Sequence, residues 1–207
     1  NFDDLQCLSH LSQLTPLPHQ LETARKVISE MRGRAILADE VGLGKTIEAG
    51  LILKEYMIRG LVRRALILVP ASLVLQWVRE LNQKLGIPAV AQKKEYMWQQ
   101  YDVVVASIDT AKRDPHRDIV LSLDYDMLII DEAHKLKNKK TANYQFVSSI
   151  RKKYCLLLTA TPVQNDLGEL FNLITLLKPG QLGGQSSFNE NYVVDKRVPK
   201  NEKQLQQ

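Results

Sequence analysis

The sequence predicts an α/β domain in which a parallel sheet lies between two layers of helices, giving three layers in all. Short apolar runs recur along the chain, and segments with apolar residues at helical spacing lie between them. Repeated strand, loop and helix units are typical of parallel sheets that carry helices on both faces. With 207 residues, 44% of them hydrophobic and 25% charged, the chain can bury the core that such a domain needs.

Each predicted strand is short and apolar and ends close to a turn or a polar motif. These strands are residues 35–38, 65–69, 102–106, 127–130 and 155–158. The predicted helices are residues 18–31, 46–59, 72–85, 141–150 and 166–177. The last helix has an apolar stripe at helical spacing and ends before Pro179 and Gly180. The stripe consists of Leu167, Leu170, Phe171, Ile174 and Leu177.

Three segments divide the chain. Residues 1–15 are expected to lead into the domain, and residues 16–180 to form the α/β domain itself. From residue 181 to residue 207 the chain turns polar and rich in Gly, Ser and Gln, which favours the start of an insertion or linker. We therefore expect a lobe of a longer protein rather than a whole enzyme.

The first functional motif is LADEVGLGKT at residues 37–46. Gly42 and Gly44 allow a tight turn that brings backbone N–H groups against phosphate oxygens, while Lys45 supplies a positive charge and Thr46 a hydroxyl for a metal ion. Asp39 stands where the strict phosphate-loop pattern has its first Gly. The predicted strand before the motif and the helix after it favour a phosphate cradle over the alternative, a chance Gly turn before a helix.

The second motif is LIIDEAH at residues 128–134. Its apolar run predicts a buried strand that delivers Asp131 and Glu132 at its carboxyl end, where open α/β sheets bind ligands. We expect Asp131 to hold Mg²⁺ through water and Glu132 to polarise the attacking water. Together the motifs predict a site for ATP and Mg²⁺, in which Lys45, Asp131 and Glu132 are the catalytic residues and Thr46 and Asp131 the metal-binding ones.

Composition excludes several other classes of protein. The two cysteines, Cys7 and Cys155, are far apart and the histidines are scattered, which indicates neither a disulfide framework nor a zinc site. No apolar run approaches the roughly 20 residues that span a bilayer, so no membrane partner is expected. A net charge of +5 is compatible with a polyanionic partner. The predicted location is cytoplasmic or nucleoid-associated.

The order of the motifs resembles the first RecA-like (P-loop) lobe of Swi/Snf-family helicase-like ATPases, in the bacterial and archaeal branch that includes RapA-like proteins. The resemblance covers nearly the whole chain and rests on LPHQ (17–20), DEVGLGKTIEAG (39–50), LILVPASLVLQWVREL (66–81), VVVASIDTAK (103–112), DEAHKLKN (131–138) and LTATPVQNDLGELFNLITLL (158–177). It implies ATP-driven translocation along double-stranded DNA to displace or remodel a bound protein, for example a polymerase. It also implies a second RecA-like lobe in the full-length chain.

The resemblance assigns roles to individual residues. Gln20 would read the adenine edge, unless it is an ordinary surface residue at a helix start. The remaining nucleotide contacts would be Asp39, Glu40, Gly42, Leu43, Gly44, Lys45 and Thr46. The residues that would couple hydrolysis to closure of the two lobes are His134, Thr159, Thr161 and Gln164. A merely structural histidine and small residues in a loop are the alternatives for this last group.

The resemblance also implies a DNA-binding edge. Its candidate residues are Ser72, Ser107, Lys135, Lys137 and Asn138, which follow predicted strand ends. A lysine run such as the one at residues 135–140 is often only a solvated face, and that alternative stays open. Trp77 shares a helical face with apolar residues, so we expect it to pack in the core rather than to stack on a base.

Three classes of function remain open from the sequence. The first is a motor ATPase on duplex DNA, the second an RNA helicase as the DEAH letters suggest, and the third a nucleotide-binding scaffold without turnover. The KLKN that follows DEAH and the VQN that follows TATP resemble the Swi/Snf pattern. The presence of Lys45, Asp131 and Glu132 disfavours a scaffold.

Overall fold

The computed structural model describes residues 4–11, 14–38, 44–160, 166–177 and 193–195. Its strands are β1 (Arg34–Ala38), β2 (Ala65–Leu68), β3 (Ala89–Ala91), β4 (Val103–Ala106), β5 (Asp124–Ile130), β6 (Arg151–Thr159) and β7 (Val193–Asp195). They form one seven-stranded sheet in the order β3-β4-β2-β5-β6-β1-β7. Every pairing between neighbouring strands is parallel.

Helices cover both faces of this sheet. They are α1 (Pro18–Ser29), α2 (Lys45–Ile58), α3 (Val74–Leu85), α4 (Met97–Gln100), α5 (Ile108–Ala111), α6 (His116–Ser122), α7 (Ala142–Ser149) and α8 (Leu167–Leu177). Alternate strand residues point to opposite faces, so Leu37 packs with α1, α2 and α3 in one core. Ile36 packs with α7 and α8 in the other. The predicted three-layer fold is confirmed.

All five predicted strands are present, with shifted ends. β5 and β6 begin three and four residues earlier than predicted, because their first residues alternate between exposed and covered and carry charges instead of forming an apolar run. β3, β7 and the short helices α4, α5 and α6 were not predicted from the sequence. They are only three to seven residues long, which is too short for a clear periodic pattern. The predicted helix at 72–85 begins instead as a 3₁₀ turn, Ala71–Leu73, followed by α3.

The segment before α1 packs on α2. Leu5 and Cys7 are buried in the same core as α1 and α2. The carboxylate of Glu55, in the third turn of α2, accepts hydrogen bonds from the Cys7 backbone N–H at 2.9 Å and from Arg59 Nε at 2.6 Å. Arg59 also donates to the backbone oxygen of Asp4 at 2.8 Å. A buried ion pair therefore ties the expected lead-in to the helix that starts at Lys45.

Within the described ranges, no helix combines the length and apolar character needed to cross a bilayer. Both cysteines are free and buried. Burial raises the pKa of Cys7 to about 12, with the nearby Glu55 charge adding to the effect. Burial likewise raises the pKa of Cys155 to about 11. Both thiols are therefore protonated at neutral pH.

Candidate nucleotide site

The carboxyl edge of the sheet brings the two sequence motifs together. β1, β6 and β5 are neighbours in the sheet. Gly44 and Lys45 are the first described residues after β1, Thr159 ends β6, and Asp131 follows β5 on the same edge. Four predicted nucleotide contacts, Asp39, Glu40, Gly42 and Leu43, lie outside the described residues. Their roles stay predictions.

The start of α2 carries the described part of the first motif. Gly44 is the N-cap residue, Lys45 is the first helical residue, and Thr46 follows it. Lys45 is only 6% exposed, whereas Thr46 is half-buried. The N–H groups at the start of a 14-residue helix have no partner within the helix and favour an anion there. This end of α2 therefore has the polarity that a bound phosphate requires.

Gln20 lies against this helix start. A Cβ added to Gly44 would stand 3.4 Å from Gln20 Nε2, so the amide and the glycine are in close approach. The other end of the amide, Oε1, accepts the Leu17 backbone N–H at 2.8 Å. Gln20 is 6% exposed and so is not a surface residue, but its bond to the Leu17 N–H caps the start of α1, as the helix-start alternative expects. Its amide is held beside the phosphate motif, and its contact with adenine stays a prediction.

Asp131 has a carboxylate fixed by two donors. Its backbone N–H donates to Leu68 O at 2.8 Å, which extends the pairing of β5 with β2. Its Oδ1 accepts the Glu132 backbone N–H at 2.8 Å, and its Oδ2 accepts the indole N–H of Trp77 at 3.2 Å. Each oxygen keeps a second lone pair. The carboxylate is therefore oriented but still able to accept another ligand.

Glu132 adopts a left-handed backbone conformation, with φ 53° and ψ 43°. This conformation is uncommon for a residue with a side chain and costs about 1–3 kcal/mol. Glu132 immediately precedes the 3₁₀ turn Ala133–Leu136 and is half-buried. Such conformations concentrate at functional sites, where the surrounding structure enforces them.

The oxygen donors at this edge fit Mg²⁺. Asp131 offers a carboxylate and Thr46 a hydroxyl, and both are ligands that hard cations prefer. Among the described residues no three His, Cys, Asp or Glu side chains cluster as a metal cage would require. Mg²⁺ is commonly bound by one or two carboxylates together with waters and substrate phosphates. The residues present suit an ion that arrives with a nucleotide.

His134 connects the second motif to the end of β6. Its Nδ1 lies 3.3 Å from Thr159 Oγ1, and Thr159 is fully buried. Burial lowers the pKa of His134; the Glu132 charge opposes this shift, and Lys135, Lys45 and Lys137 reinforce it. The imidazole is therefore held neutral, as an acceptor or donor toward the threonine. Thr161 and Gln164, the other predicted coupling residues, lie outside the described residues.

One predicted DNA contact touches a predicted catalytic residue. Lys135 Nζ is 2.6 Å from Glu132 Oε2, in an ion pair whose side chains are 62% and 38% exposed. Solvent screens such a pair, so it adds little to stability. It does place a candidate phosphate-binding cation directly on the carboxylate expected to polarise water.

Two more predicted DNA contacts, Lys137 and Asn138, border an open cavity of about 500 Å³. Lys137 is paired with Glu169 at 3.6 Å, and its backbone oxygen accepts a hydrogen bond from Asn172 Nδ2 at 2.9 Å. The lining residues are Lys137, Asn138, Lys139, Asp166, Gly168, Glu169, Phe171 and Asn172. The first turns of α8 thus form the wall opposite the lysines.

Ser72 and Ser107, the two serines among the predicted DNA contacts, differ in whether their hydroxyls are accessible to a phosphate. Ser72 is exposed in the 3₁₀ turn Ala71–Leu73. Ser107 is 8% exposed, and its Oγ accepts the Thr110 backbone N–H at 3.1 Å as the cap of α5. The Ser107 hydroxyl also donates to Thr110 Oγ1 at 3.1 Å. Ser72 is therefore free to meet a phosphate, whereas Ser107 already has local partners.

Sequence reasoning missed the role of Trp77 beside Asp131. It correctly placed Trp77 in the core, where the residue is 2% exposed. The signal that could have indicated the contact is burial itself, because the indole N–H of a buried tryptophan usually has an acceptor. Because β2 and β5 are neighbours, the helix after β2 can reach the residue after β5. Glu169, which pairs with Lys137, carried no sequence signal beyond its place in α8.

Family comparison agrees with this geometry. A profile described as the SNF2-related domain matches residues 19–207. The chain belongs to the SNF2-related domain family. The predicted resemblance to a helicase-like ATPase family is thereby confirmed.

Two named relatives are similar to this chain over part of their length. The ATP-dependent helicase YqhH of Bacillus subtilis is 67% identical over 195 residues, which cover 94% of this chain and 35% of that protein. The RNA polymerase-associated protein RapA of Actinobacillus pleuropneumoniae is 38% identical over 195 residues, covering 83% of this chain and 20% of RapA. The chain thus spans about a third or less of these SNF2-family relatives.

Solved structures of the family have the same fold. The SWI2/SNF2 ATPase core of Sulfolobus solfataricus in complex with double-stranded DNA superposes with a TM-score of 0.74 at 24% identity, covering 85% of this chain and 38% of that one. A second structure, of the SWI2/SNF2 ATPase core domain of Sulfolobus solfataricus, gives a TM-score of 0.72 at 25% identity, covering 91% of this chain and 40% of that one. The chain therefore shares its fold with these SWI2/SNF2 ATPase cores.

Proposed function

We propose that this chain is the nucleotide-binding lobe of an ATP-dependent double-stranded DNA translocase that remodels or displaces DNA-bound protein. The observation that carries the proposal is the meeting of two groups at one sheet edge. The buried Lys45 at the start of α2 and the oriented carboxylate of Asp131 follow strands separated by β6 alone. Phosphate and metal chemistry need such a pairing of one cation with one carboxylate.

Each side chain then has a distinct task in ATP hydrolysis. Lys45 and the N–H groups at the start of α2 bind the phosphates, and Thr46 and Asp131 would hold Mg²⁺, which would neutralise charge on the phosphates. Glu132 orients the attacking water or accepts a proton from it. Gln20, which lies beside Gly44, contacts the base. The contact between His134 and Thr159, at 3.3 Å, links the carboxylate motif to the end of β6.

The proposed DNA track lies along the same edge. Ser72, Lys135, Lys137 and Asn138 are exposed there. Hydroxyls, amides and ammonium groups that contact phosphates fix position without reading sequence. The solved SNF2 core bound to double-stranded DNA supports a duplex as the partner by analogy of fold.

The remaining parts of the proposed motor would lie in a longer protein. We propose that a second RecA-like lobe closes over the nucleotide and supplies an arginine, a contribution of about 10³–10⁵ in rate in related NTPases. A DNA-bound protein such as a polymerase is the proposed object of remodelling, because one relative is named for its association with RNA polymerase. A cytoplasmic or nucleoid-associated location follows from such partners.

A comparison of three nucleic acids tests the proposal. The full-length protein should show its strongest ATPase stimulation with double-stranded DNA, little dependence on base sequence, and loss of stimulation with added salt through counterion release. Single-stranded DNA and RNA of the same length serve as matched controls. Stimulation mainly by RNA would restore the RNA helicase reading, and nucleotide binding without any turnover would indicate a scaffold.

A further inference from the structure

Trp77 is buried next to the candidate metal carboxylate. It lies in the first turn of α3, is 2% exposed, and faces the core with Leu81 and Leu85. Its indole N–H donates to Asp131 Oδ2 at 3.2 Å. This contact joins α3, which follows β2, to the residue that follows β5.

The Glu132 backbone N–H, the other donor to Asp131, cannot by itself fix the orientation of the carboxylate. The Glu132 backbone N–H binds Oδ1 at 2.8 Å, but it belongs to the adjacent residue of the same loop. A carboxylate held at one oxygen can still turn about its own axis. The indole reaches the other oxygen from a helix that is packed into the core, so the two donors together set the carboxylate plane.

We propose that Trp77 is a positioning residue for Asp131: its indole holds the carboxylate in the orientation that receives Mg²⁺ with the nucleotide. This inference rests on the proposed ATP and Mg²⁺ site. Groups behind a metal ligand that orient it typically contribute about 10- to 100-fold in metal affinity or activity. Because Asp131 is expected to act through water, we expect the lower end of that range.

The contact between Trp77 and Asp131 also lies close to a proposed DNA contact. Ser72, a proposed DNA contact, lies in the 3₁₀ turn Ala71–Leu73 that leads directly into α3. Trp77 is five residues further along. A shift of that turn on DNA binding would therefore reach the metal carboxylate through a single helix turn and one hydrogen bond.

The chain supplies its own control. Trp98, the other tryptophan, is fully buried and also uses its indole N–H, which donates to His116 Nδ1 at 2.9 Å. It packs in the core on the opposite face of the sheet. Trp77→Phe and Trp98→Phe therefore remove the same atoms from two buried rings, and only the first touches Asp131.

The test measures nucleotide binding in the full-length protein rather than turnover. A fluorescent ATP analogue is titrated in EDTA and again at increasing Mg²⁺. Trp77→Phe should leave affinity in EDTA unchanged and raise the half-saturating Mg²⁺ concentration about tenfold. Trp98→Phe should change neither quantity.

A second variant keeps the result decisive. If Trp77→Phe lowers the melting temperature so far that binding cannot be measured, 3-benzothienylalanine at position 77 replaces the indole N–H by sulfur and keeps the shape. An unchanged Mg²⁺ requirement in either Trp77 variant, or an equal shift in Trp98→Phe, would overturn the positioning role. Failure of the unmodified protein to bind the analogue at all would instead overturn the proposed nucleotide site.

Discussion

Replacing Glu55 tests how α2, the helix that begins at Lys45, is anchored. Glu55 is fully buried and its partner Arg59 has a side chain only 10% exposed. Glu55→Ala leaves the guanidinium without its carboxylate and the Cys7 backbone N–H without its acceptor. Breaking a buried ion pair by removing one partner costs about 3–5 kcal/mol. For a domain of this size, each kcal/mol lowers the melting temperature by about 2–4 °C, so we expect a fall of about 6–20 °C.

A matched control lies on α3. Glu80 and Lys84 form a pair with the same spacing at 3.6 Å, but their side chains are 22% and 47% exposed. Glu80→Ala should therefore cost less than about 1 kcal/mol. Thermal and urea unfolding of the unmodified protein, Glu55→Ala and Glu80→Ala provide the comparison. Glu55→Gln keeps an acceptor oxygen, so its loss of stability should lie between those of Glu55→Ala and Glu80→Ala. Equal losses for Glu55→Ala and Glu80→Ala would refute the claim that the buried pair anchors α2.

Four further outcomes are expected. In the full-length protein Lys45→Ala should weaken ATP binding and abolish turnover, because the phosphates lose their motif-borne cation; normal binding would contradict the site. Glu132→Gln should keep nucleotide binding and stop hydrolysis, and loss of both binding and fold would mark Glu132 as structural. Residues 1–207 alone should release phosphate at a negligible rate even with saturating duplex DNA, because the second lobe that we propose lies outside them; a rate near that of the full-length protein would refute the two-lobe mechanism. Burial raises the thiol pKa values of Cys7 to about 12 and Cys155 to about 11 from an ordinary 9.0, so folding favours the protonated forms. This stability is fully present below pH 9.0 and should fall as pH rises from there toward 11–12, as urea unfolding across that range would show, whereas a flat profile would contradict it.

The sheet was predictable because each central strand is buried on both faces. Strands such as β2 and β4 are apolar throughout, so their sequence alone distinguishes them from loops. β6 was predicted only in part, because its first residues, including Arg151 and Lys152, lie at the solvent end of the sheet. β3 pairs at an edge over three residues, which leaves too little pattern to recognise.

The candidate site was predictable where chemistry restricts the residue type. Lys45, Asp131 and Glu132 could be proposed because phosphate, metal and water each require a particular functional group, and their roles stay predictions. Contacts between distant segments were not predictable. The partnership of Trp77 with Asp131, and that of Cys7 with Glu55, depend on which helix packs over which strand. Neither pairing can be predicted from the spacing of residues along the chain.

Two contacts bring candidate DNA-binding residues close to candidate hydrolytic residues. Lys135 is exposed enough to bind a phosphate and is 2.6 Å from the carboxylate of Glu132. Ser72 precedes the helix whose Trp77 holds Asp131. A phosphate that draws Lys135 away would release Glu132 toward water, while a shift of the 3₁₀ turn would act on the metal carboxylate. If a duplex binds along this edge as we propose, coupling of DNA binding to hydrolysis needs no long path, because Glu132, its ion pair with Lys135 and the contact between Trp77 and Asp131 all lie at the same edge of the sheet.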